Sequence, residues 1–192
     1  MESRERKFDV ILLDVDGTLL DFGMSERQGM RVVLEQYGFC LLYTSDAADH
    51  EAEELYRRQL DASAFLIDGA LELCAYLKDR YDLYVVTNGT SSTQYKRLAA
   101  SGLDSFMKDI FVSEDAGSQK PRKEYFDYCF SRIPDANPRR MLLIGDSPAS
   151  DIKGGMAAGT YTCWYNPGGK ALPEGIRADY EVGSLKELMN LL

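Results

Sequence analysis

Five short apolar runs, each closing on polar or glycine residues and separated by stretches with helical spacing, restrict this chain to a layered α/β arrangement. Parallel strands need a long crossover, and a helix supplies it, so the alternation is the mark of βαβ units around a parallel sheet. The runs predict strands at about 9–14, 82–87, 109–113, 141–146 and 160–164, giving a doubly wound, mainly parallel five-stranded sheet. Residues 69–80 carry Leu71, Cys74 and Leu77 at helical spacing and should pack on that sheet. Ser91 and Ser92 can cap a helix that Gly102 stops, and Tyr125, Phe126, Cys129 and Phe130 give another helix an aromatic, core-facing side. Gly154, Gly155 and Gly159 bracket a short helix, and residues 184–192 read as a closing amphipathic one.

The first apolar run, Val10-Ile11-Leu12-Leu13, empties into Asp14-Val15-Asp16-Gly17-Thr18. In an open α/β sheet, ligands collect at the carboxyl ends of the strands. On an extended strand, residues two apart point the same way, which aims Asp14 and Asp16 together. Two adjacent carboxylates repel unless a cation or a shared proton holds them. Mg2+ suits such a pair, because its octahedral shell takes hard oxygen ligands and a phosphate oxygen together. A lone D-x-D-G-T also describes a solvated surface turn, so the rest of the chain has to decide.

Two more strand ends and one loop carry polar residues that could serve the same site. Thr87, in Val85-Val86-Thr87-Asn88-Gly89, closes the second run. Lys120, in Ser118-Gln119-Lys120-Pro121, precedes a predicted helix and can offset the charge of a phosphate and a carboxylate. Asp146 and Asp151 follow the fourth run in the pattern G-D-x-x-x-x-D; Asp151 could equally be the favourable acid of a helix N-terminus.

With 31 acidic against 22 basic residues the formal charge is −9, which argues against a nucleic acid polymer as partner. Positive surroundings for a phosphate must then be local: a metal, one lysine, helix N-termini. Cys40, Cys74, Cys129 and Cys163 form no C-x-x-C pair and read as structural thiols in a reducing compartment. No run is long enough to span a membrane, and the charged start leads straight into a strand, so the expected location is the cytoplasm.

Taken in order, D-x-D-G-T, Thr87, Lys120 and G-D-x-x-x-x-D resemble the motifs of the haloacid dehalogenase-like phosphohydrolases over nearly the whole chain. The resemblance implies a Rossmann-like core with a small helical cap inserted after the first strand, and hydrolysis of a small phosphorylated metabolite. Asp14 would be the nucleophile that forms an aspartyl-phosphate, and Asp16 the general acid and then base. Thr87 and Asn88 would bind the phosphoryl group, with Lys120 stabilising the charged intermediate. Asp14, the main-chain carbonyl of Asp16 and Asp146 would hold Mg2+, with Asp151 supporting from outside. Phe65–Glu72, Ser113–Gly117, Thr162–Pro167 and Pro173–Ile176 are similar to the noncanonical-pyrimidine 5'-nucleotidases, whose substrates are pyrimidine nucleoside monophosphates. Trp164 and Asn166 belong to that likeness, more for packing than for substrate contact. A sugar-phosphate mutase or sugar phosphatase would keep the same motifs. A phospho-receiver domain shares the acidic pair, Thr and Lys but lacks the two longer motifs.

The resemblance assigns residues 1–19 and 68–192 to the core and 20–67 to the cap. Residues 24–38 and 51–60 read as cap helices, but Cys40–Asp49 between them lacks a helical apolar period. Those ten residues are similar to the translation of a transposase adapter used in DNA library preparation. They predict a chimeric, shortened cap, and His50, the sole histidine, abuts that junction.

Overall fold

The computed structural model describes residues 6–37 and 46–192. The strands are β1 (Val10–Leu13), β2 (Asp82–Thr87), β3 (Asp109–Val112), β4 (Met141–Gly145), β5 (Tyr161–Tyr165) and β6 (Tyr180–Val182). The helices are α1 (Phe22–Tyr37), α2 (Asp46–Ala62), α3 (Ala70–Lys78), α4 (Ser91–Ser101), α5 (Ser113–Ala116), α6 (Lys123–Phe130), α7 (Lys153–Ala158) and α8 (Leu185–Leu191). A π-helical turn, Pro148–Ile152, leads from β4 into α7.

All strands run parallel in the order β3-β2-β1-β4-β5-β6. Chain order reverses between β1 and β4, the place where doubly wound sheets open a crevice. Leu13 pairs with Val85 on one side and Ile144 on the other, so β1, β2 and β4 end level with one another. Alternation along the strands splits the core into two layers. Ile11, Leu13, Val85, Leu142 and Ile144 pack with Leu73 and Leu77 of α3 and Leu185 and Leu188 of α8. Leu12, Tyr84, Val86, Phe111 and Leu143 pack on the other face with Tyr125, Phe126 and Cys129 of α6. Each large apolar side chain buried there contributes roughly 1.5–3 kcal/mol.

The sheet has a sixth strand beyond the five expected. β6 is three residues long, with only Val182 buried, which is too short to show as an apolar run. Helix α4 ends at Gly102 as expected, but its start differs: the cap position is Thr90, and Ser91 N–H donates to Glu114 Oε2 at 2.7 Å. A carboxylate from the neighbouring α5 thus does what a serine hydroxyl was expected to do.

Helices α1 and α2 lie between β1 and α3 and pack on each other. The segments leading out and back run side by side, with Asp21 N–H donating to Phe65 O at 2.8 Å and Ile67 N–H to Leu19 O at 3.0 Å. The pair buries small groups: Ser25, Gly29 and Val33 of α1, and Ala52 among the described side chains of α2. Met24 and Met30 of α1 are nearly half exposed. Most of the stretch 40–49 lies outside the described residues; its last four residues form the first turn of α2, where no helical period was apparent. His50 is exposed and faces Glu54 one turn on.

Candidate active site

Asp14 extends the β1–β4 ladder by one residue, its N–H donating to Ile144 O at 2.9 Å, which sets its carboxylate at the level where all three central strands end. Lys120 is buried beneath it, and its ammonium is fully engaged. Nζ donates to Asp14 Oδ1 at 2.6 Å, Asp151 Oδ1 at 2.7 Å and Val86 O at 2.7 Å. Burial alone would depress the lysine, but Asp14 and Asp151 outweigh it and hold its pKa above the ordinary value. Among the described residues the second oxygen of Asp14 accepts only a long contact, 3.4 Å, from Thr18 Oγ1. Asp151 is completely buried, and its Oδ2 accepts from Ser147 N–H at 3.0 Å.

Asp14, Asp146 and Asp151 bring one oxygen each to within 4.8 Å of one another. One ammonium does not balance three carboxylates, and the pKa values reflect it. Burial and then the charge of Asp151 raise Asp14 to about 8 and Asp146 to about 6. A donor set of hard carboxylate oxygens, with excess negative charge at a crevice, fits a divalent cation such as Mg2+. The cluster needs two glycines. A Cβ on Gly17, whose φ is +86°, would stand 2.5 Å from Asp146 Oδ2, and one on Gly145 would stand 2.4 Å from Asp151 Cγ.

Asp16 departs from expectation. The strand proper ends at Leu13 and Asp14 adds one more ladder bond, but Asp16 bridges to Leu20 instead, and its carboxylate lies outside the acidic cluster. Instead Oδ1 meets Arg97 Nη1 at 2.5 Å and Oδ2 accepts from Gln94 Nε2 at 2.7 Å, both from α4. Thr87 ends β2 fully buried. Asn88 uses both atoms of its amide on the main chain of Lys120, accepting from its N–H at 2.9 Å and donating to its carbonyl at 3.1 Å.

Two cavities meet at Asp16 and Phe22. One of about 600 Å³ reaches over Gly17, Asp146, Asp68 and Tyr165. The other, about 860 Å³, lies between α2 and the start of α4, against Tyr56, Arg57, Leu60 and Asn88.

Trp164 is buried and donates from its indole to Asp146 O at 2.8 Å, so it positions the acid's backbone. Asn166 is likewise a structural residue, donating to Lys170 O and Glu181. The cysteines among the described residues, Cys74, Cys129 and Cys163, are buried free thiols that burial pushes up to about 12. Cys40 lies outside the described residues. Sequence reading missed Gln94 and Arg97. The available signal was that they share the inward face of α4 with Leu98, where polar residues are out of place.

The cluster, at the switch point of a parallel sheet, suits a phosphohydrolase that works with a divalent cation. The chain belongs to the haloacid dehalogenase-like hydrolases, whose family profile matches residues 34–159. It is 40% identical to HAD-hydrolase YfnB of Bacillus subtilis, over 97% of this chain and 96% of that protein. Pyrimidine 5'-nucleotidase YjjG of Escherichia coli is 37% identical over 66% of this chain and 56% of its own length. Pyrimidine 5'-nucleotidase PynA of Streptococcus pneumoniae is 28% identical over 96% of this chain and 95% of its own. A crystal structure of YfnB bound to magnesium superposes with a TM-score of 0.90 over 97% of this chain and 99% of that one. The chain is therefore an enzyme, a phosphatase of this family. Among the described residues, no helix is long and apolar enough to cross a membrane.

Proposed function

We propose that this chain is a Mg2+-dependent phosphomonoester hydrolase that works through an aspartyl-phosphate on Asp14, with pyrimidine nucleoside 5'-monophosphates as its substrates. The observation that carries the mechanism is the placing of Asp14. Lys120 holds one oxygen of its carboxylate at 2.6 Å, while among the described residues the other has only the long contact from Thr18. The freer oxygen attacks phosphorus, the bond from phosphorus to the leaving oxygen breaks, and Asp16 delivers a proton to that oxygen. In the second half, water attacks the aspartyl-phosphate, Asp16 takes a proton from the water, and phosphate leaves with Asp14 regenerated. Lys120 offsets charge on the phosphoryl oxygens and on Asp14 throughout. Thr87 receives the phosphoryl group at the end of β2. Asn88 serves it through the main chain, since its amide is committed to Lys120.

Asp14, the main-chain carbonyl of Asp16 and Asp146 would hold Mg2+, with Asp151 linking that set to Lys120. When bound, the ion neutralises charge on the phosphoryl oxygens. The magnesium-bound YfnB structure supports this choice of ion, and the names of YjjG and PynA support the substrate class.

Residues 20–67 act as a helical cap over a core made by 1–19 and 68–192, and the cap is shortened. The alignment with YfnB runs over 226 positions against 192 residues here, which leaves at least 34 positions without a counterpart in this chain. The exposed Met24 and Met30 on α1 are what loss of a covering segment would leave. Free, buried thiols are in keeping with a cytoplasmic protein.

Asp14→Asn tests the mechanism, since it removes the nucleophile and changes little volume. Phosphate release from uridine monophosphate should fall by on the order of 10⁴-fold or more, with the thermal unfolding midpoint within a few degrees of the parent. Retained turnover would overturn the mechanism. Turnover of the parent only with a bisphosphate activator would identify a mutase instead.

A further inference from the structure

We infer that Arg97 and Gln94 are positioning residues for Asp16, fixing where the proposed proton donor points. The inference rests on the reading of Asp16 as general acid and adds how this chain aims it.

Arg97 is completely buried, and Asp16 is its carboxylate partner. A buried guanidinium needs well-placed acceptors, and the oxygens of Asp16 keep acceptor capacity whether or not the carboxyl carries its proton. Three contacts hold it. Nη1 meets Asp16 Oδ1 at 2.5 Å, Nε donates to Ser63 O at 3.2 Å, and the guanidinium carbon lies 5.4 Å from the centre of the Phe22 ring. Ser63 and Phe22 flank the α1–α2 insertion, so the arginine is gripped from both segments that leave and rejoin the sheet. Gln94, one turn earlier on α4, takes the other oxygen of Asp16 at 2.7 Å. Its own position depends on Gly89, where a Cβ would stand 2.8 Å from Gln94 Nε2. The carboxylate is thus held by one donor on each oxygen, both from a rigid helix.

The arrangement is not an economical way to stabilise a fold. Among the described residues Arg97 Nη2 and Gln94 Oε1 are buried without a partner, a cost that two apolar residues on this face of α4 would avoid. What the pair supplies is a fixed aim for Asp16, whose side chain is a quarter exposed and lines both cavities. Proton delivery in the transition state demands such an aim.

The test uses a series of substituted phenyl phosphates, nearly constant in shape but graded in leaving-group acidity. A well-aimed acid makes kcat/KM insensitive to that acidity, and losing it penalises the poorest leaving groups. Gln94→Leu and Arg97→Lys should each lower the ratio of kcat/KM for phenyl phosphate to that for 4-nitrophenyl phosphate by about tenfold, and Asp16→Asn should lower it further. The ratio is independent of how much of a variant is folded, which covers the case where Arg97→Lys is poorly stable. A parental ratio in both α4 variants alongside a changed one in Asp16→Asn would overturn the positioning role alone. A parental ratio in Asp16→Asn would instead remove Asp16 as the acid.

Discussion

Lys120 carries one positive charge into a site where Asp14, Asp146 and Asp151 supply three acids, and that imbalance has a measurable consequence in the absence of metal. Burial, with Asp151 next in effect, raises Asp14 to about 8 and Asp146 to about 6, against 3.8 for either in an unfolded chain. Between those limits the folded state binds more protons than the unfolded state. The contribution is therefore fully present below pH 3.8 and is lost as pH rises through about 6 and then about 8. In chelator, the thermal midpoint should fall as pH climbs from 5 to 8.5. Millimolar MgCl2 should raise it more at pH 8 than at pH 5, where protons compete for the same oxygens. A magnesium effect equal at both pH values would show that the ion binds elsewhere. At this scale Asp14 and Asp146 were legible because each sits where an apolar run ends, and Lys120 and Asp151 were legible through their place in the order of the motifs. Gln94, Arg97 and the indole of Trp164 were not, since their roles arise from contacts 78, 81 and 18 residues away in sequence.

The passage from β4 through its π-helical turn into α7 places two of the three clustered acids, and it does so without slack. Gly145 has an ordinary backbone conformation, so its importance is steric: Asp151 folds back over the strand end, occupying the space a Cβ would need. Gly145→Ala should push Asp151 off Lys120, cost about 1–3 kcal/mol of stability, and shrink the magnesium-induced rise in midpoint; an unchanged response would mean that Asp151 does not support the ion. The same element shows what sequence could and could not disclose. The run Met141–Ile144 announced a buried strand, and G-D-x-x-x-x-D announced the acids. Asp151 could not be separated from a helix-capping acid until the turn carried it inward to Lys120 at 2.7 Å. β6 was hidden for the opposite reason, because three residues with one buried side chain make no pattern.

Across the whole molecule, organisation follows the sheet. Its two apolar layers are continuous with the alternation of the strands, which is why the α/β class and the positions of β1 to β5 were readable from one sequence. The α1–α2 insertion has no comparable layer, burying Ser25, Gly29, Val33 and Ala52 where the core buries leucine and aromatic side chains. Its two helices were legible all the same, at 24–38 and 51–60 by sequence against Phe22–Tyr37 and Asp46–Ala62 in the structure, while most of Cys40–Asp49 between them lies outside the described residues. A final consequence comes from Lys120, whose amine is closed off at the centre of the sheet while Lys7, Lys78, Lys96, Lys108, Lys123, Lys153, Lys170 and Lys186 are all exposed. Treatment with an acylating reagent followed by peptide mass mapping should mark those eight within minutes and leave Lys120 untouched; equal reactivity would contradict its burial. Acylation of Lys120 then becomes a clock for opening of the whole sheet, readable in a crude mixture and at any temperature, with no dye, no substrate and no introduced label.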